Sequence, residues 1–187
     1  MFEAPEDPAV TIKLGFLNDA TGPIAQFAAP FTFAWGAAMD DLNAMGDDYV
    51  FEVIEADSGC DGQTAGTAAQ SLIDAGVVAV AGAACSGASM GANAVLSAAG
   101  VPMISYASTS PALTDATAYP HFYRIVPSDA LQGEAAADMI TGSGVTSTAI
   151  VHMTNSYGAG LADAVVANLG SEAVCLPVSY THLTLPT

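Results

Sequence analysis

Hydrophobic and polar positions along this chain follow two periods in turn, one of two residues and one near 3.6. From Val10 to Leu17, the apolar Val10, Ile12, Leu14 and Phe16 take every second place, which predicts a strand. Residues 18–29 interrupt the pattern with Gly22-Pro23 as a breaker. A helix is expected from about Pro30 to Met45, with Pro30 in its first turn and Gly46 just past its end. Tyr49–Ala56 reads as a second strand and Gln63–Asp74 as a helix closed by Gly76. Val77–Ala81 is short and wholly apolar, as in strands covered on both faces. A third helix is expected over Ser86–Ala99, a fourth strand over Val101–Ser105 and a fifth over His121–Val126. After Pro127 the alternation restarts: Ser128 suits an N-cap, Thr148–Met153 a strand and Gly158–Asn168 a helix.

Strands alternating with helices, with Gly at the helix ends, predict an α/β protein built on a doubly wound parallel sheet. The restart predicts a second lobe. The expected organisation is a lead-in over residues 1–9, a first lobe over 10–126, the start of a second lobe over 127–176, and a tail over 177–187. In an open α/β sheet, ligands bind beyond the carboxyl ends of the strands. That rule nominates residues 18–27, 57–62, 83–87 and 106–110. At Ala84-Cys85-Ser86-Gly87 a strand runs directly into a helix, whose free N–H groups and dipole favour a carboxylate or phosphate. Ser86 has two compatible readings there, as a cap of that helix or as a ligand donor. Tyr106–Ser110 is dense in hydroxyls that can serve an ammonium or a carboxylate, or simply cap the turn at Pro111.

Charge narrows the field sharply. The 187 residues hold 2 Lys+Arg against 19 Asp+Glu, a formal net charge of −17. Neutralising phosphates needs clustered cations, so nucleic-acid binding is excluded, and so is a polybasic membrane anchor. No apolar run reaches the roughly 20 residues of a membrane span. Hydrophobic residues make up 52% and charged ones only 11%, with Ala and Gly filling the difference, which points to close packing between elements. Enzyme motifs fail: Ser86 lacks the flanking glycines of a nucleophile elbow, and no lysine follows a Gly-rich loop. The three histidines, His121, His152 and His182, are scattered and no C-x-x-C occurs, so no metal or other cofactor is expected. Cys60 and Cys85 fall in two loops at one edge of the sheet, where a disulfide and two free thiols are both open. Met1–Pro8 carries no signal-peptide pattern, so any export signal is expected to have been removed or to lie upstream.

Six stretches, in order, resemble the branched-chain amino-acid-binding proteins of ABC importers, within the type I periplasmic binding fold. They are TGPIAQF (21–27), DSGCDGQTA (57–65), VAGAACS (80–86), VPMISYASTSPALT (101–114), RIVPSDALQG (124–133) and YGAGLA (157–162). The resemblance implies a periplasmic or membrane-tethered monomer that binds an aliphatic amino acid and delivers it to importer permease subunits. A sensory domain of the same fold, for amino acids, amides or urea, is the alternative. By the same resemblance Cys60 and Cys85 form a disulfide, stabilising by roughly 3 kcal/mol in the chain-entropy model. Ser86 would hold the ligand's α-carboxylate. The Ala107 carbonyl and Thr109 would hold its ammonium and carboxylate, Phe27 would line the side-chain pocket, and Tyr157 would cover the ligand on closure. Family members are about twice as long, and an acidic contact to the ammonium lies in the part not matched here. The tail PVSYTHLTLPT (177–187) resembles translated adapter sequence, which would strip meaning from His182; the alternative reading is an edge strand, since Val178 and Tyr180 alternate.

Overall fold

The structure, a computed structural model, describes residues 10–46 and 48–170, and the backbone of a last strand at Ala173–Val178. The expected lead-in lies outside the described residues. So does the expected tail, apart from Pro177 and Val178 on that strand. In chain order the elements are β1 (Val10–Asn18), α1 (Ala28–Ala44), β2 (Tyr49–Asp57), α2 (Gly62–Asp74), β3 (Ala79–Gly82) and α3 (Ser86–Ala98). Then come β4 (Met103–Ser105), β5 (Phe122–Arg124), α4 (Asp129–Gly142), β6 (Thr148–Met153), α5 (Ser156–Leu169) and β7 (Ala173–Val178).

Several boundaries differ from expectation for identifiable reasons. A 3-10 turn at Ala25–Phe27 runs straight into α1, so Pro30 stands in the first turn, where its missing N–H leaves no bond unmade. Strands β3 and β4 begin two residues later than the apolar pattern implied. The amides of Val77 and Val101 instead close α2 and α3, donating to Leu72 O and Leu96 O, while Gly76 and Gly100 donate to Ile73 O and Ser97 O. This is the Schellman arrangement, with glycine at positive φ just past each helix. The strand β7, not expected as such, pairs in parallel with β6, Pro177 standing opposite His152.

The first five strands form one parallel sheet in the order β2-β1-β3-β4-β5, and β6 and β7 form a second. Neighbouring residues on a strand face opposite ways. Phe16 stacks on Trp35 of α1, ring centroids 5.4 Å apart, whereas Gly15 abuts Val80 and Leu72 of α2. Helix α1 and the α2–α3 pair therefore cover opposite faces. The main core lies under α2 and α3, with Leu17, Leu72, Val80, Leu96 and Met103 fully buried. Helices α2 and α3 approach so closely that a Cβ on Gly91 would lie 2.0 Å from Gly62 O. The other face is covered only in part: Ile104, Tyr123 and Ile125 are exposed beside an apolar hollow of ≈ 430 Å3.

Candidate functional site

The order of strands reverses between β1 and β3, since the chain leaves β1 toward β2 and returns on its other side. The crevice beyond the carboxyl ends of such strands is the preferred ligand position in α/β sheets. A cavity of ≈ 570 Å3 occupies it, within the usual range for small-molecule sites. Every loop at that edge contributes except the one after β5: Pro23, Ile24 and Phe27 follow β1, Cys60 and Asp61 follow β2, and Ala84–Gly87 follow β3. Ala107 follows β4, Phe31 comes from α1, and Thr154–Tyr157 come from the second sheet, after β6. The two sheets meet here, with Ser156 Oγ 3.4 Å from the place of a Cβ on Gly87.

Of the residues singled out in the sequence, Phe27, Ser86, Ala107 and Tyr157 all line this cavity, as do both cysteines. Cys60 and Cys85 form a disulfide, Cα atoms 5.2 Å apart, which joins the loops that open α2 and α3. The one cluster of metal-ligand type among the described residues, Asp19 with Cys60 and Cys85, contains these same two sulfurs. Bonded to each other, they offer no thiolate.

Ser86 does not cap its helix. The cap position of α3 is Cys85, and no side chain bonds to the first turn. Helices α2, α4 and α5, by contrast, are capped by Asp61, Ser128 and Asn155. Helix α1 also has no side-chain cap, but its start is closed by the 3-10 turn, where the Phe27 and Ala28 amides donate to Ile24 O and Ala25 O, so the open N-terminus at the cavity is that of α3. Ser86 is 2% exposed, and its hydroxyl oxygen accepts from the Ser110 amide at 3.2 Å, so its hydrogen can still donate elsewhere. The Ala107 amide is engaged by Ser105 Oγ at 3.2 Å, which leaves its carbonyl as the group to offer a ligand.

Thr109 is not itself among the lining residues, and its hydroxyl donates to Asp129 Oδ2 at 2.7 Å while its carbonyl accepts from the Asp129 amide at 2.9 Å. With its one hydrogen so engaged, the Thr109 hydroxyl can accept from an ammonium but not donate to a carboxylate. Asp129, 1% exposed, was not singled out in the sequence, where acidic residues are too numerous for one to stand out.

Three serines gather at the residue before the lining segment Ala84–Gly87. Ser89, Ser105 and Ser108, all buried, each donate to Ala83 O, at 3.1, 2.6 and 3.1 Å. The only two cations of the chain are both turned elsewhere. Lys13 Nζ donates to Ala75 O, and Arg124 Nη1 donates to Ser110 O at 2.9 Å. Burial lowers the Arg124 pKa from its ordinary value, with Asp129 opposing the shift. At the end of β2, burial works to raise the Asp57 pKa but is outweighed by hydrogen bonds from Thr21 and Gly59, which lower it. No helix among the described residues is long and apolar enough to cross a membrane.

Comparison with known proteins agrees with this geometry. A family model described as the receptor family ligand binding region matches residues 34–182. The chain is 30% identical over 177 residues to the amino acid binding protein of Pseudomonas aeruginosa, covering 92% of this chain and 47% of that protein. It is 38% identical over 105 residues to metabotropic glutamate receptor 6 of Rattus norvegicus, covering 55% of this chain and 12% of the receptor. Among solved structures, LivJ, the substrate binding protein of a branched-chain amino acid transporter from Streptococcus pneumoniae, in complex with isoleucine, superposes with a TM-score of 0.76. That likeness is at 26% identity over 89% of this chain and 49% of that one. The chain thus spans about half the length of these two bacterial proteins. Its relatives are binding proteins and receptors. The parallel sheet, the cavity at its carboxyl edge and these likenesses together place the chain in the receptor family ligand binding region family, with the type I periplasmic binding fold.

Proposed function

We propose that this chain provides much of the amino-acid clamp of an extracytoplasmic solute-binding protein, which captures a small aliphatic amino acid for the permease of an ABC importer. The observation that carries the reading is the uncapped N-terminus of α3, with buried Ser86, facing an apolar wall of Pro23, Ile24, Phe27 and Phe31 across one cavity. A zwitterion needs donors at one end and acceptors at the other. The α3 amides and the Ser86 hydroxyl suit the carboxylate. The Ala107 carbonyl and the Thr109 oxygen, with the Asp129 carboxylate behind it, suit the ammonium. Tyr157, from the second sheet, is positioned to cover the ligand as the lobes close. No Lys or Arg stands among the lining residues, which favours a neutral over an acidic ligand side chain. The role is non-catalytic: Ser86 accepts from an amide, and neither described histidine is among the lining residues to act as its base.

In the protein at its full genomic length, leucine is expected to bind saturably without turnover, and glutamate far more weakly. Thr109→Ala is expected to weaken leucine binding by about 1–2 kcal/mol, roughly ten-fold in Kd by calorimetry. Unchanged affinity would move the ammonium site elsewhere. The second reading, a sensory ligand-binding domain, is favoured by the likeness to metabotropic glutamate receptor 6. A membrane span or kinase downstream in the gene supports the sensor; neighbouring permease genes support the importer.

A further inference from the structure

We infer that Asp19 is a positioning residue, whose single buried carboxylate aligns the strand-end loops that form the first-lobe wall of the cavity. The inference rests on the reading of that cavity as the ligand site. Asp19 follows the end of β1 and is fully buried. Its Oδ1 accepts from Ser58 Oγ, after β2, and its Oδ2 accepts from the Ala84 amide at 3.0 Å, after β3. Tyr106 OH, after β4, also reaches Oδ2, at 3.3 Å. One side chain thus joins the loops beyond β1, β2, β3 and β4. Ser58 and Ala84 stand two and one residues before the two cysteines, and the carboxylate lies within 4.8 Å of both sulfurs. Ser86 is two residues beyond Ala84, so the direction of the α3 amides depends on where Ala84 is held. Tyr106 also packs on Phe31 of the apolar wall, ring centroids 4.9 Å apart. The Ser58, Ala84 and Tyr106 donors all need an acceptor. Asparagine in place of Asp19 could keep the bond from Ser58 but would turn an NH2 toward the Ala84 amide.

The test is Asp19→Asn in the full-length protein, read in two ways. Hydrogen exchange at the Ala84 amide is expected to speed up about ten-fold, while the amides of Leu72 and Leu96 in the core keep their rates. Leucine affinity is expected to fall about ten-fold, and by clearly less in a Ser86→Ala background, because both changes act on one contact. Unchanged exchange at Ala84, equal acceleration at all three amides, or fully additive losses of affinity would overturn the inference. If the unsubstituted protein binds no leucine, the functional reading fails and the exchange experiment alone decides the role of Asp19. If Asp19→Asn does not fold, Ser58→Ala carries the test. It frees one side of the carboxylate, and is expected to speed Ala84 exchange in the same direction by a smaller factor; no change there would count against the inference.

Discussion

Replacing Cys60 and Cys85 together by serine lowers the unfolding free energy by about 3 kcal/mol, seen as a drop of about 6–12 °C in Tm. The bond spans a sequence separation of 25, so cutting it returns the loop-closure entropy of that length to the unfolded chain. The segment it closes holds α2, β3 and the entry to α3, which is most of the main core. Both sulfurs also line the cavity, so leucine affinity is expected to fall with stability. Reduction of the unsubstituted protein should reproduce the loss, and should have no effect on the serine variant. Equal stability of oxidised and reduced protein would show that hydrogen bonds at the loops already hold this segment.

Gly91→Ala is expected to cost about 3 kcal/mol, the upper end of the usual overpacking penalty. A Cβ there would meet Gly62 O at 2.0 Å and two further backbone atoms of Gly62 at 2.6 Å, so no side chain can turn aside to admit it. The helices must separate instead, and α3 carries Ser86 at its first position. Denaturant unfolding measures the cost, and an m-value equal to that of the parent shows that the fold is kept. A serine at Gly36 is the control, since nothing lies within 4 Å of that position. A loss below about 0.5 kcal/mol for Gly91→Ala, the range of an ordinary surface change, would mean that the two helices are less tightly packed.

The alternation of apolar positions was enough to read β1 to β6 and the five helices, because each of these strands is either half covered or sandwiched and each helix ends at a glycine. The turns in which Val77 and Val101 take part were not legible, since a valine after Gly76 or Gly100 looks the same whether it begins a strand or closes a helix. The hydrogen bonding that holds the strand-end loops was hidden for a different reason. Ser89, Ser105 and Ser108 converge on one carbonyl from two separate segments, and Asp19 draws its donors from loops up to 87 residues away. Nothing in local spacing marks such a convergence. Phe27, Ser86, Ala107 and Tyr157 could be named because they stand in short stretches that resemble a family. The same route named Thr109 but not the buried Asp129 that takes its hydrogen.

The two cations have one more consequence. Trypsin cleaves only after Lys or Arg, and this chain has one of each, both in paired strands. Lys13 lies on β1, flanked by β2 and β3, whereas Arg124 lies on β5 at the sheet edge. Cleavage after Arg124 should therefore report opening of the edge, and cleavage after Lys13 opening of the sheet as a whole. With only two possible cuts, a protease becomes a two-point gauge of where this fold comes apart first.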